Sequence, residues 1–136
     1  MKKLLSTTYS DTGFNLATFL LRGTLAFLMC LYHGVPKMIH FSEWQHTFSD
    51  PLHISHRWSL VVTIFSEVFA SMVLLLGLFS RIAALILSIE MFVIVFIYQK
   101  GQPIKNFEDA ILFFAGFLCI LLIGPGKWSV DGMAGR

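Results

Sequence analysis

The chain has 136 residues, of which 56% are hydrophobic and only 13% are charged, and its formal net charge is +2. Soluble domains carry about 25% charged residues, so this composition excludes an ordinary soluble fold and indicates an integral membrane protein. The Lys and Arg residues are dispersed along the chain, which excludes the basic surface that nucleic-acid binding requires.

The first apolar run predicts a membrane helix near residues 15–36. It follows a polar stretch, residues 1–13, that has no apolar core and therefore does not resemble a cleaved signal peptide. Arg22, His33 and Lys37 fall on one face of this helix at 3.6 residues per turn. We expect that polar face to pack inward.

The segment at residues 38–57 combines aromatic and imidazole side chains, among them Trp44, His53 and His56. Trp and His are common at headgroup level, so an interfacial loop or short helix is expected here. A metal or proton site is the alternative, but a lone pair of histidines with i,i+3 spacing does not define one. Cys30 and Cys119 show no metal or redox spacing either, so no metal site is predicted.

Two further apolar runs predict membrane helices near residues 58–78 and 81–98, joined by a short turn. Such a short connection makes them antiparallel neighbours and places Glu67 and Glu90 near the bilayer centre. An ionisable group at that depth needs a partner, and Glu67 is expected to lie within bonding reach of Arg22 or Lys37. Glu90 points either inward to such a partner or into an interface between copies of the chain, which leaves a homo-oligomer open.

A Gly/Pro loop precedes the fourth predicted helix, near residues 107–123, and a Gly-Pro-Gly sequence ends it. Glu108 lies in its first turn, where a carboxylate either complements the helix dipole or serves the functional site. Together the four runs predict an all-α fold, an integral membrane four-helix bundle that forms one domain over residues 1–136.

Orientation follows from the basic residues on each side of a chain with four spans. One side carries Lys2, Lys3, Arg81, Lys127 and Arg136, and the other carries Lys37, Arg57, Lys100 and Lys105. The first side, which includes both termini, has one basic residue more than the other. This excess predicts that both termini face the cytoplasm, with the protein in the bacterial inner membrane.

Four features in order resemble the DoxX family over most of the chain, from about residue 15 to 131. They are an Arg early in the first helix followed by His33-Gly-x-x-Lys37, Glu67 ahead of Leu-Gly-Leu-Phe-Ser-Arg, Glu108-Asp-Ala, and Gly-Pro-Gly-Lys-Trp-Ser-Val-Asp. The resemblance implies a four-helix membrane protein. Proteins of this family include the small subunit type of thiosulfate:quinone oxidoreductase and quinol oxidase subunits. More distant DoxX-like proteins act as membrane chaperones or assembly factors.

A polar pocket within the bundle is the mechanism that fits these residues. Its candidate members are Arg22, His33, Lys37, Glu67, Glu90 and Glu108. A quinone headgroup needs hydrogen-bond donors for its carbonyl oxygens, from Arg22, Lys37 or His33, and a proton acceptor, for which Glu67 is the candidate.

Two functions are therefore predicted as alternatives. The first is a quinone- or lipid-interacting subunit of a membrane redox complex. The second is a noncatalytic scaffold, chaperone or assembly factor that uses the same pocket, or a structural salt-bridge core. The sequence contains no haem-ligand pair, flavin motif or nucleotide loop, so no intrinsic cofactor is expected and electrons would come from a partner subunit. Membrane lipid is the other expected partner.

Overall fold

The computed structural model describes residues 8–135, and that part of the chain consists of helices and turns without a strand. The all-α prediction is therefore confirmed. Lys2, Lys3 and Arg136, which entered the predicted orientation, lie outside the described residues.

Long helices make up most of the described chain. In order, the helices are α1 (Asp11–Ile39), α2 (Phe41–Trp44), α3 (His56–Leu76), α4 (Ser80–Tyr98), α5 (Glu108–Ile123) and α6 (Val130–Met133), with one 3-10 turn at Ile104–Asn106. The predicted helices were near residues 15–36, 58–78, 81–98 and 107–123, so the largest difference in bounds concerns α1.

The first helix begins four residues earlier and ends three residues later than predicted. It begins early because the Ser10 side chain caps it, accepting a hydrogen bond of 3.1 Å from the Gly13 N–H. It continues past Pro36, which has no N–H to donate, because the preceding segment Met29–Gly34 is π-helical and shifts the hydrogen-bond register.

Helices α1, α3 and α4 are long and apolar enough to cross a membrane, whereas α5 has 16 residues and falls short of that length. Large apolar side chains point away from the protein interior on all four long helices. Phe27, Phe69, Phe92 and Leu122 are examples, each at least 47% exposed. An apolar exterior of this kind fits a lipid environment, so the integral membrane prediction is supported.

The turn between α3 and α4 is tight and depends on a glycine. Gly77 has φ +73°, and the N–H groups of Gly77 and Leu78 donate to the carbonyl oxygens of Leu74 and Val73, which closes the C-terminus of α3. Helix α4 then runs back beside α3 and makes its most extensive contact with α5, while α1 packs on both α3 and α5. Phe117 lies fully buried at the centre of the apolar core.

Candidate functional site

A cavity of about 530 Å³ lies between α1, α3, α4, the start of α5 and the loop that precedes α3. Most of its lining is apolar, with Met29, Ile86 and Phe113 as typical members. Ligand sites commonly have this size and composition, with a few polar groups that fix the orientation of the ligand. The ionisable side chains that line the cavity are His33, Lys37, Glu67, Glu90, Tyr98 and Asp109.

Three walls of the cavity contain π-helical turns, at Met29–Gly34 in α1, Phe65–Ala70 in α3 and Val93–Tyr98 in α4. These segments carry His33 and Glu67 into the cavity lining. A π-helical turn inserts an extra residue and so changes which side chains face a neighbour, and such turns are frequent at functional sites. The cavity is thus built by local departures from regular helix geometry.

Lys37 and Glu67 form a buried ion pair at the cavity wall. The Lys37 Nζ atom lies 2.8 Å from Oε1 and 2.7 Å from Oε2 of Glu67, and it also donates to the His33 carbonyl oxygen at 3.1 Å. Glu67 is 2% exposed and the Lys37 side chain 18%. Since an ammonium group has three hydrogens, all donors of Lys37 are used within the protein.

Glu90 enters the same cavity from α4 without an ion-pair partner among residues 8–135. Both its carboxyl oxygens are buried and receive no hydrogen bond from that part of the chain. Ser66 lies close by, but its hydroxyl donates to the carbonyl oxygens of Val62 and Thr63. A buried carboxylate without a donor is unfavourable by several kcal/mol, so this group requires a proton or a donor from a ligand.

His33 and Asp109 also line the cavity, whereas Glu108 does not. The His33 ring packs edge-on against Phe113, with the ring centroids 5.4 Å apart. Asp109 is exposed but lines the cavity, whereas its neighbour Glu108 is exposed and lies outside the lining. Asp109 precedes Phe113 by four residues and therefore shares its helical face, but only the structure shows that this face meets the cavity.

Arg22 lies outside this cavity, and the structure does not bring it together with Glu67. Its guanidinium donates to the carbonyl oxygens of Leu74 at 3.0 Å, Leu75 at 2.9 Å and Trp128 at 2.9 Å. The first two carbonyl groups belong to the last turn of α3, the negative end of the helix dipole. Arg22 is 2% exposed and joins α1, α3 and the C-terminal segment.

The C-terminal segment closes the α3–α4 turn. The Asp131 carboxylate accepts hydrogen bonds from the N–H groups of Phe79 at 3.0 Å and Ser80 at 2.7 Å, and the Asp131 N–H donates to the Gly77 carbonyl oxygen at 2.9 Å. The Leu-Gly-Leu-Phe-Ser-Arg and Gly-Pro-Gly-Lys-Trp-Ser-Val-Asp sequences therefore meet in space and hold the fold together at one end, away from the cavity.

Gly34 permits the close approach of α1 and α3 beside the ion pair. A Cβ atom at this position would lie 2.9 Å from the carbonyl carbon of Glu67 and 3.0 Å from its oxygen. We therefore expect Gly34→Ala to separate the helices and lower the free energy of unfolding by about 1–3 kcal/mol.

Gly23→Ala is the matched control for this substitution, because no atom lies within 4 Å of a Cβ there. It should be neutral or stabilising by about 0.5–1 kcal/mol, as alanine is favoured within a helix. Unfolding in detergent micelles measures both variants. Equal effects of the two substitutions would contradict the close contact at Gly34.

The loop before α3 covers the cavity and is organised by Asp50. Its carboxylate accepts hydrogen bonds from the Ser59 hydroxyl and from the N–H groups of Ile54 and Ser55 at 2.7–2.9 Å. His40 stacks on Trp44, and His56 bonds to the Phe48 carbonyl oxygen. Within the described part of the chain, no group of three or more His, Cys, Asp or Glu residues is placed to hold a metal ion.

We expect this loop to loosen in acid. The Ser59 hydroxyl and the Ile54 and Ser55 N–H groups, together with the charge of His53, lower the pKa of Asp50. A lowered pKa in the folded state means that the stabilisation is present while Asp50 is ionised and is lost as the pH falls through that pKa, below about pH 4.

NMR titration of the Asp50 carboxyl carbon and of the Ile54 and Ser55 amides measures this effect. All three signals should share one midpoint, lower than that of an unperturbed Asp carboxyl, and Ser59→Ala should raise it because the strongest stabilising contact is lost. A midpoint that Ser59→Ala leaves unchanged would show that the hydroxyl does not hold the carboxylate.

The protein has an apolar exterior, helices long enough to span a membrane and a cavity lined by ionisable side chains. These features define a small helical integral membrane protein. The DoxX family model matches residues 17–100, more than half of the chain. An uncharacterised protein from Haemophilus influenzae is 33% identical over 122 residues, which cover 82% of this chain and 85% of that relative. No solved structure matches the chain. The chain belongs to the DoxX family.

Proposed function

We propose that this DoxX protein binds the headgroup of a quinone or a similar isoprenoid lipid in the 530 Å³ cavity, as a subunit of a membrane redox complex. The observation that carries the proposal is the buried Glu90 carboxyl, which has no partner in residues 8–135 and faces a mainly apolar cavity. The apolar lining suits an isoprenoid chain, and the few polar groups suit a ring with oxygen substituents.

The proposal includes a membrane arrangement. All four long helices cross the inner membrane as one bundle and one domain. An even number of spans places both termini on the same side, and the excess of Lys and Arg makes that side the cytoplasmic one. At ~1.5 Å rise per residue the 16 residues of α5 reach about 24 Å. Thinning of the ~30 Å hydrocarbon layer beside a short helix costs only fractions of a kcal/mol per Å.

The hydrogen bonds and ion pairs that each polar residue already makes determine the role proposed for it. Glu90 has free acceptor oxygens and is the group that exchanges a proton with the ligand. The Lys37–Glu67 pair fixes one wall of the site and keeps its charges balanced. The His33 side chain lines the cavity, and Asp109 lies where the cavity opens to the surface. A bound quinone would supply two-electron chemistry, with the electrons delivered by a partner subunit.

Binding of a short-chain ubiquinone or menaquinone analogue in nanodiscs tests the proposal, with a plain prenyl alcohol as the apolar comparison. The wild-type protein should bind the analogue about tenfold or more tightly than the alcohol. Glu67→Gln should lose most of this preference because the wall of the site is disturbed, whereas Glu43→Gln, an exposed carboxylate outside the cavity, should keep it. Unfolding curves establish that each variant is folded.

Equal binding of the analogue and the alcohol in the wild-type protein would overturn the proposal. That outcome would favour the scaffold, chaperone or assembly role, in which the cavity accepts lipid chains without recognising an oxygenated ring.

A further inference from the structure

We propose that the cavity prefers the reduced, hydroquinone form of its ligand to the oxidised form, with Glu90 accepting a hydrogen bond from a ligand hydroxyl. This inference rests on the proposed function and adds the redox state that the site recognises. It follows from the buried Glu90 carboxyl, whose two oxygens receive no hydrogen bond from residues 8–135.

The Lys37 ammonium and the Ser59 and Ser66 hydroxyls, which line the cavity, already donate to acceptors within the protein. All three hydrogens of Lys37 go to Glu67 and the His33 carbonyl oxygen, and no other ammonium or guanidinium group from residues 8–135 lines the cavity. The Ser66 hydroxyl donates to backbone carbonyl groups, and the Ser59 hydroxyl donates to Asp50. A quinone carbonyl, which only accepts, therefore gains no donor from Lys37, Ser59 or Ser66. It depends on the donors that remain in the lining, on His33, Thr63, Tyr98, Gln99 and Asn106.

The acceptors, by contrast, are free. Both carboxyl oxygens of Glu90 are buried without a donor from the described chain. An ionised Glu90 requires a donor, and a protonated Glu90 offers one donor and still one unused acceptor. A ligand hydroxyl both donates and accepts, so it satisfies either state, whereas a carbonyl oxygen satisfies only the protonated one. A hydrogen bond to an ionised carboxylate is also roughly twice as strong as a neutral one.

Anaerobic titration of one analogue in its two redox forms tests the inference, in nanodiscs and with the prenyl alcohol as a third arm. The wild-type protein should bind the hydroquinone about tenfold more tightly than the quinone, which is about 1.4 kcal/mol. Glu90→Gln should reduce that ratio to about twofold or less, because an amide also donates to a carbonyl. Ser88→Ala is the matched control, since this buried α4 residue lies outside the cavity, and it should retain the ratio.

The midpoint potential of the bound analogue gives a second measurement that does not depend on a variant. Tighter binding of the reduced form raises the potential of the two-electron couple, by about 30 mV for a tenfold preference.

The outcomes separate this inference from the proposed function. If neither redox form binds better than the alcohol, the proposed function fails. If both forms bind better than the alcohol but with equal affinity, or the oxidised form binds more tightly, only the redox preference is overturned. A further titration with an alkylammonium ion tests one more ligand class. If this cation binds more tightly than the hydroquinone and loses its affinity in Glu90→Gln, the cavity is a site for lipophilic cations. The proposed preference for the hydroquinone is then overturned.

Discussion

Replacing Arg22 with methionine is expected to lower the free energy of unfolding by about 3–5 kcal/mol. Methionine keeps much of the side-chain volume but removes three hydrogen bonds from a charged donor. The carbonyl oxygens of Leu74, Leu75 and Trp128 would then lie buried or half-buried without their present partner.

Arg81→Met is the control for this experiment. Arg81 lies near the same end of the protein but is exposed, so its replacement should change the free energy of unfolding by no more than about 0.5 kcal/mol. Unfolding in mixed micelles measures both variants. If Arg22→Met is as stable as Arg81→Met, Arg22 does not fasten α1 to the end of α3.

The second large effect concerns the Lys37–Glu67 pair. Lys37→Met should lower the free energy of unfolding by about 3–5 kcal/mol, because it leaves Glu67 as an uncompensated buried charge. The double variant Lys37→Met/Glu67→Met should recover much of that loss, since both charges are then absent. A double-mutant cycle measures the coupling between the two residues, and we expect at least about 2 kcal/mol.

An exposed ion pair in the same chain provides the comparison for this cycle. Lys127 and Asp11 lie 3.6 Å apart with side chains 76% and 84% exposed, and exposed pairs contribute about 0–1 kcal/mol. Their cycle should give a coupling near zero. Equal coupling for the two pairs would mean that water reaches Lys37 and Glu67 as freely as it reaches the surface pair.

The sequence predicted the helical fold because the apolar runs are long and the breaks between them are short. It also placed Arg22, His33 and Lys37 on one face of α1, which their spacing alone determines. Periodicity does not give the distance along the helix axis to a partner on another helix. Lys37 and Arg22 were therefore equivalent candidates for Glu67 until the packing of α1 on α3 placed only Lys37 beside it.

Other features required the three-dimensional structure. The π-helical turns depend on the packing between helices and leave no pattern in an apolar run. Glu90 could have faced the interior or another copy of the chain, because its neighbours on α4 are almost all apolar. Glu108 and Asp109 are adjacent and differ by about 100° around the helix, so only the register of α5 determines which of them reaches the cavity.

The role of the C-terminal segment could likewise not be predicted from the sequence. Gly-Pro-Gly clearly predicted the end of α5, but the bonds from Asp131 to the α3–α4 turn join residues about fifty positions apart. A motif shared with a family therefore does not identify a binding site by itself. Here the Gly-Pro-Gly-Lys-Trp-Ser-Val-Asp segment stabilises the α3–α4 turn, while the cavity lined by ionisable side chains lies away from that turn.

The most direct test of the proposed ligand site is an experimental structure of the protein extracted into native lipid nanodiscs without detergent. We expect elongated density in the 530 Å³ cavity, with its polar end within hydrogen-bonding distance of Glu90 and its tail leaving between helices. Mass spectrometry of the same sample should identify an isoprenoid quinone or a closely related lipid. A cavity that holds only acyl chains, with no oxygenated ring beside Glu90, would contradict the proposal.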